Sequence, residues 1–555
     1  MKDKIIKDKL IILGAGIMQG PAIKIAKELG IYTIVLDGSS NAPCIPMADQ
    51  FEQIDLKEKE EIETFARSVQ GSCSRLGIMT AGTDFSASVA WTAQRLGLPG
   101  IPYEAALNAS DKSRMRACFK KASLPSPDFY TITSEDPFDH IPLPFPVVIK
   151  PVDNMGGRGC RRVNTIEEFA DAAKDAIKYS RSGRAIVESF MDGHEFSVDA
   201  IVCHDEIIIC GLADRHIFFP PYFIEMGHTM PTVIEEEKQQ TILETFRAGV
   251  RALGIAGKNN TGAAKGDIKL TADGPMIGEI AARLSGGFMS GWTYPYSSGV
   301  QPIRAAILAA IGKTPDNLVP VKKWTCAERA FISIPGTVKT ITGMEQAENQ
   351  NNVKDLFLRI KEGVKVSFPE NNVSKCGNII ACAPDRAAAM NAAESAARLI
   401  LIKLDHKDPE TAEFLKFTPH RKIENKVYTF PPDAFELPEY LKEALSLFPD
   451  NQQPLSTNKN SPQVAHTSNK LDYSIRPFPE FTSSELTDYM GRTIEESLEA
   501  VRLLTGFTLP ITIKNAENKI LGKSFWAALI RGGYQGAVYY IENLEINEKA
   551  KSKHN

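Results

Sequence analysis

FPVVIKPVDNMGGRGCRRV, residues 145–163, runs from an apolar segment into Lys150 and then, six residues on, into the glycine-rich loop Gly156-Gly157-Arg158-Gly159. Glycines let backbone N–H groups approach phosphate closely, and a lysine adds a point charge. Three architectures use such loops, and the order of the parts separates them. A Walker A loop places its lysine after the glycines and opens a helix. Here the lysine comes first, and Cys160-Arg161-Arg162-Val163 reads as a returning strand. A dinucleotide-binding turn feeds its glycines directly into a helix, which this one does not. The remaining reading is a strand–loop–strand hairpin that closes over a triphosphate.

The flanking sequence extends that reading. Asp111-Lys112 opens a helix-like segment, DKSRMRACFKK, and offers a second lysine. AIVESFM (185–191) and HEFSV (194–198) read as two strands joined by a turn, a hinge able to present backbone groups to an adenine ring and carboxylates to its ribose. Asp267 in GDIKL and Glu279 in IGEIAARL stand twelve residues apart, with the turn TADGP between them. On an antiparallel hairpin they face each other. Like charges placed so are destabilising without a cation between them, and a carboxylate pair beside a triphosphate is the oxygen site magnesium prefers. Arg283 follows Glu279 by four residues, and Gly286-Gly287 comes next.

The first hundred residues alternate strand-like runs (KLIILGAG, YTIVLDG, LGIMTAGTD) with helix-like ones (AIKIAKELG, SASVAWTAQRLGL), the signature of a doubly wound parallel sheet. The turn Gly14-x-Gly16-x-x-x-Gly20 has its third glycine one position late for a dinucleotide fingerprint, so it reads as a tight βα turn without a cofactor. Residues 322–404 carry short β-like runs and end in an Ala-rich helix, while 449–470 is polar and proline-bearing, a linker composition. Beyond it a capping box, Thr493 to Glu496, opens a helix that Gly506 closes, and PITIK (510–514) and AVYYIENL (537–544) read as strands. The expected division is 1–110, a Rossmann-like domain; 111–315, the nucleotide and metal domain; 316–425, a β-rich cap; 426–470, an extension and linker; and 471–545, a small α/β unit. The fold class is thus multidomain α/β and α+β.

The 555-residue chain is 43% hydrophobic with a formal charge of -4, which argues against a general nucleic-acid or anionic-membrane binder. It has no apolar run long enough to span a bilayer. Its nine cysteines include no C-x-x-C pair, as expected of reduced thiols in a cytoplasmic protein.

From Leu10 to Leu404 the ordered set resembles an ATP-grasp carboxylate–amine ligase: LGLPG, the Asp-Lys helix start, V-I-K-P with its glycine loop, V-E-x-F-x-x-G-x-E-F-S-V-D, the paired acids and E-I-A-A-R. The resemblance implies ATP as cosubstrate and Mg2+ as metal, with Mn2+ able to substitute. It implies that Lys112, Lys150 and the backbone of Gly156 and Gly157 hold phosphates, that Glu188 sits at the adenine hinge and Glu195 on the ribose, and that Asp267 and Glu279 bind the metal. Arg283 then steadies charge on the acyl phosphate. Within the family the chain is most similar to L-amino-acid ligases, through PYFIEMGHTMP (221–231), I-A-A-R and the β-rich third region. That likeness places Glu225 and His228 at the acceptor amine, and Gly286-Gly287 is read as room for an acid bulkier than alanine. The expected partners are a small carboxylate and an amine, with no nucleic acid or membrane, and a homodimer is the assembly to test. Two departures stand out: Ala281 where many members have asparagine, and Lys265 where related ligases often have histidine. The alternatives are a purine-route ATP-grasp enzyme, against which the Glu225–His228 loop weighs, and an ATP-binding sensor or scaffold without turnover, against which the intact lysines and acids weigh.

Overall fold

Lys9–Leu13 is apolar after its first residue, and Leu10 through Leu13 are all fully buried, as a central parallel strand requires. Each such side chain contributes about 1.5–3 kcal/mol on leaving water. In the computed structural model this strand lies between Tyr32–Asp37 and Leu76–Met79, with Gln50–Gln53 completing a four-stranded parallel sheet. The structure describes residues 7–415, 422–423, 426–427, 489–492, 494–506 and 523–552. The expected linker at 449–470, the strand at 510–514 and Thr493 of the capping box lie outside the described residues. Gly14 takes φ +98° at the first turn. Asp37 spends both oxygens locally, accepting from Ala15 N and Ser39 N at 2.9 Å each.

Two further sheets follow. A four-stranded antiparallel sheet has the order Phe129–Ile132, Ala185–Ser189, Val147–Pro151, Arg161–Val163 and is covered by helix Ile166–Tyr179. The stretch 145–163 is therefore a hairpin, Val147–Pro151 paired antiparallel with Arg161–Val163. An eight-stranded antiparallel sheet has the order Gly274–Ala281, Thr261–Thr271, His194–Cys203, Glu206–Phe218, Ile224–Met230, Thr325–Phe331, Gly377–Ala383, Val353–Leu358. This sheet runs across the boundary drawn at 315/316: Gly227 to Met230 pair with Cys326 to Arg329. Three strands of the β-rich third region thus extend the central sheet, while Lys365–Val366, Gly336–Thr342 and Leu401–Leu404 form a separate three-stranded one.

The described C-terminal residues differ from the sequence reading. AVYYIENL belongs to the helical segment Lys523–Ser552, which breaks only at Gly533 (φ 56°, ψ -148°). β-Branched and aromatic residues favour strands locally, but tertiary packing overrides that preference. Tyr534, Ala537, Val538 and Ile541 are all buried, and their 3–4–7 spacing is that of one helix face. The helix docks on the third region: Gln535 donates to Ser333 Oγ at 2.8 Å and Ile402 O at 2.9 Å, and accepts from Ile334 N at 3.1 Å. Tyr489 and Met490 join the same core. Among the described residues no helix is long and apolar enough to cross a membrane, and all nine cysteines are free thiols.

Because Gln535 is buried and its partners, the Tyr489 hydroxyl that also donates to it among them, are interior groups, Gln535→Ala strands the Ile334 N–H. Urea unfolding should show a loss of roughly 2–3 kcal/mol. A change within about 0.5 kcal/mol, the range of ordinary surface substitutions, would contradict this docking.

Candidate active site

Residues directly opposite in antiparallel strands share a face, and this rule collects the site. Glu195 stands opposite both Arg215 and Lys269, Lys265 opposite Asp199, and Asp267 opposite Ser197. Arg215 pairs in register with His228, and His228 with Glu328. The alternate residues Phe196, Val198, Ala200 and Ile268 point the other way, into a core shared with helix Glu236–Ala252. Two irregularities add the remaining acids. Asp267 pairs with Glu279 and Ile268 with Ile277, which leaves Gly278 bulged and puts Glu279 on the charged face. His216 pairs with Gly227 and Ile217 with Glu225, so Met226 is bulged and Glu225 joins the same face as His228.

On the lysine side, Lys150 Nζ lies 2.7 Å from Glu188 Oε2, while Glu188 Oε1 accepts from Arg116 Nε at 2.8 Å. Arg116 is fully buried and also donates to the carbonyls of Ile277 (3.1 Å) and Gly278 (2.6 Å). Burial opposes the charge of Glu188, yet Arg116 and Lys150 hold its carboxyl below the usual range. Glu188 thus fixes Lys150 and, through Arg116, the strand Gly274–Ala281, with both of its carboxylate oxygens engaged. Asp111 caps its helix through Ser113 N and Arg114 N. Lys112 donates to Asn154 O at 2.8 Å and stands 3.7 Å from Glu279 Oε2.

The loop's glycines are structural necessities. Gly156, Gly157 and Gly159 have φ of +71°, +74° and +65°, a region that side chains disfavour. The loop docks on a segment of the third region that sequence reasoning did not single out. Asn372 N donates to Gly156 O at 2.9 Å. The Asn372 side chain accepts from Glu225 N at 2.7 Å, and Lys375 Nζ donates to Glu225 O at 2.7 Å. One short loop therefore spans the glycine lid and the strand expected to face the acceptor.

Asp267 Oδ2 is held by Arg215 Nη1 at 2.9 Å and by Lys265 Nζ. Among the described residues its Oδ1 is buried without a partner, and Glu279 is approached by Lys112 Nζ at 3.7 Å. Burial again opposes the charge on Glu279, but Lys112, Lys150, Lys265 and Arg283 pull its carboxyl down to about 2. An orphaned carboxylate oxygen beside a second, ionised carboxylate fits a hard divalent cation. Among the described residues no group of three or more His, Cys, Asp or Glu gathers as a metal cage, so the remaining ligands would come from phosphate and water. The two departures are cross-strand partners: Lys265 pairs with Ala281.

Arg283 donates Nη1 to Leu284 O at 3.0 Å, and its buried Nε has no partner among the described residues. An unmet guanidinium donor is an anion site in waiting. Its loop is fixed by Asp199, which accepts from Ser285 N at 3.0 Å and from Ser285 Oγ. Gly286 does not open space: a Cβ there would come 3.3 Å from Gly82 O, so this glycine permits contact with the first domain. Gly287, at φ +61°, does face open space.

Glu225 gives both carboxylate oxygens to Arg215, Oε1 at 3.2 Å and Oε2 at 2.9 Å. Against the effect of burial, Arg215 and Lys375 hold its carboxyl far below the usual range. Arg215 also binds Glu195. His228 is fully buried, with Nε2 3.0 Å from Thr293 Oγ1 and Nδ1 3.3 Å from Glu328 Oε2. Sequence reasoning missed Arg116, Asp199, Arg215, Asn372 and Lys375. Only Asp199 left a signal, the alternation Glu195-Ser197-Asp199.

Residues 143–291 match the ATP-grasp domain family, and residues 330–405 match the L-amino acid ligase C-terminal domain 2. Carnosine synthase 1 of Gallus gallus is 23% identical over 335 residues, covering 56% of this chain and 36% of that protein. D-alanine–D-alanine ligase B of Pseudomonas putida is 26% identical over 169 residues, 28% of this chain and 52% of its own. The crystal structure of L-amino acid ligase from Bacillus licheniformis superposes with a TM-score of 0.64 at 21% identity, over 72% of this chain and 100% of that one. The chain spans no more than 65% of the length of the first curated relatives it matches.

Burial lifts the Asp199 carboxyl to about 6, although hydrogen bonds from Ser285 pull it down. A carboxyl whose native pKa exceeds its unfolded value supports the fold while protonated, and loses that support as pH rises through the native value. Asp199→Asn cannot ionise, so it should gain on the parent chain between about pH 4 and pH 6 and then hold its margin, on the order of 2–3 kcal/mol in urea unfolding. Parallel pH profiles for the two proteins would contradict the assignment.

Proposed function

We propose that this chain, which belongs to the ATP-grasp superfamily, is an ATP-dependent ligase that activates a small carboxylate, an amino acid or similar acid, and joins it to an amine with release of ADP and phosphate. The observation that carries the reading is the presence of two unmet groups in one neighbourhood: the orphaned Asp267 Oδ1 beside Glu279, and Arg283, whose charge acts on Glu279 and whose Nε has no partner among the described residues. One calls for a cation and the other for an anion, as an activated carboxylate beside a metal-bound nucleotide would supply.

In this reading the backbone after Glu188 receives the adenine and Glu195 the ribose. Lys112, Lys150 and the N–H groups of Gly156 and Gly157 hold the phosphates. Asp267 and Glu279 hold Mg2+ or Mn2+, which when bound neutralises charge on the phosphates. Arg283 orients the acid so that a carboxylate oxygen attacks the γ-phosphorus. That step forms the acyl–O–P bond and breaks the bond to ADP. Catalysis here is positioning and charge neutralisation. The amine then attacks the acyl carbon, phosphate leaves with the bonding electrons, and the amine loses a proton. Glu225 and His228 form the wall on the acceptor side. Docking of the glycine loop on Asn372 supports exclusion of water, which would otherwise hydrolyse the acyl phosphate.

The purified chain with ATP, Mg2+ and mixtures of amino acids should release ADP and phosphate only when substrate is present. Glu279→Gln should slow that release by roughly 10²-fold or more. No substrate-stimulated release over a broad panel would sink the reading, and near-normal turnover of the variant would remove Glu279 from the metal site.

A further inference from the structure

Strand Ile224–Met230 pairs with Thr325–Phe331 only from Gly227 onward. Glu225 lies before that pairing begins, and a neighbouring segment of the third region takes up both of its backbone groups. Its N–H goes to Asn372 Oδ1 at 2.7 Å, and its carbonyl accepts from Lys375 Nζ at 2.7 Å. Backbone groups need such partners wherever a ladder stops. The segment holds its own shape, because Asn371 Oδ1 accepts from Val373 N at 2.9 Å and from Ser374 Oγ at 3.2 Å, an asparagine-type turn.

The same segment is the seat of the glycine lid. Asn372 N donates to Gly156 O at 2.9 Å. A Cβ on Gly156 would meet Val373 Cγ2 at 3.4 Å, and one on Gly157 would meet Asn372 Nδ2 at 3.6 Å, so both glycines lie directly against it. A second tie runs from the returning strand of the lid, where Arg162 N donates to Pro221 O at 2.8 Å, just ahead of Ile224–Met230. Asn372 therefore has its main chain on the lid and its side chain on the strand that carries Glu225. Val373 beside it is 51% exposed, so polar tethers rather than apolar packing fix where the seat lies. A nucleotide enters or leaves such a site when the lid lifts. Lifting would break the bond to Gly156 and leave the one to Glu225 in place.

We propose that Asn372 is a positioning residue that holds the lid's seat against the acceptor strand, and so sets how much of the acyl phosphate is taken by the amine and how much is lost to water. This rests on the ligase reading above, and goes beyond it by making lid closure depend on the third region and on the acceptor strand. Loss of the tether would unseat the lid while leaving the residues proposed for phosphate, metal and acid unchanged. Water would then attack the acyl carbon and lose a proton as phosphate leaves, returning the free acid. ATP would still be consumed, and less amide would form.

The test uses the whole chain. Amide and ADP are measured with ATP, Mg2+ and the amino-acid mixtures of the ligase assay, and trypsin cleavage after Arg158 in the lid is timed separately by fragment mass. Asn372→Ala removes the Oδ1 tether and keeps the N–H. It should lower the amide formed per ADP by about 3- to 10-fold, the effect of one hydrogen bond. Cleavage at Arg158 should quicken by a similar factor, since it follows the population of opened lid, while the circular dichroism spectrum stays that of the parent chain. Asn372→Asp keeps an acceptor oxygen and should restore most of both. An unchanged ratio or an unchanged cleavage rate in Asn372→Ala overturns the proposal, and so does an Asn372→Asp variant as impaired as Asn372→Ala. A variant that loses ADP release and amide in equal proportion leaves the ratio where it was, marks a merely structural role, and overturns it too. If the parent chain releases no ADP with any mixture, the ligase reading has failed and the partition with it. Faster cleavage at Arg158 in Asn372→Ala would then still support Asn372 as the seat of the lid.

Discussion

Arg215 is the residue on which the charged face depends. One guanidinium holds Glu195, Glu225 and Asp267, three carboxylates from three strands. Without that cation, three half-buried acids on one face would repel one another, and each would lack compensation for its partial desolvation. The planar fork of arginine is suited to this, since lysine offers only a point charge. With Glu195 assigned to the ribose, Asp267 to the metal and Glu225 to the acceptor in the proposed reaction, the same ion would link three of its parts. A bound nucleotide and metal would compete for two of these acids, so Arg215 also sets how readily they are released.

The remaining geometry comes from domains that reach across to this sheet. Its irregularities do the local work: the bulges at Met226 and Gly278 turn Glu225 and Glu279 onto the charged face. From the first domain, the loop 81–85 is clasped to the segment that follows Arg283. From the third region, Asn372 and Lys375 hold the backbone of Glu225 while Asn372 meets the glycine lid. The residues proposed for the nucleotide, the carboxylate and the amine all belong to the unit 111–315, and the lid's seat beside the acceptor strand comes from the third region.

Much of the lid was legible in the sequence because its logic is local. Lysine before glycines, and a strand after them, determine a hairpin, and positive φ at three glycines is what that composition permits. The acid pair was legible because a turn of the right length separates two alternating runs. Arg215 was not, since its meaning lies in facing Glu195 and His228 across two register pairings that no single strand encodes. Asn372 was hidden for a related reason, as contacts between distant loops leave no periodicity. The error at AVYYIENL was of another kind. Its residues favour strand by propensity, yet Tyr534, Ala537, Val538 and Ile541 already carried the helical spacing that the third region selects.

The central claim is that a carboxylate oxygen, not water, attacks the γ-phosphorus of ATP. Labelling both carboxylate oxygens of the acid substrate with oxygen-18 tests it directly, by mass analysis of the phosphate released during turnover with an amine. The account predicts one labelled oxygen in each phosphate, delivered through the acyl phosphate. Phosphate that carries no label from the acid would mean that water is the nucleophile, and would contradict the account.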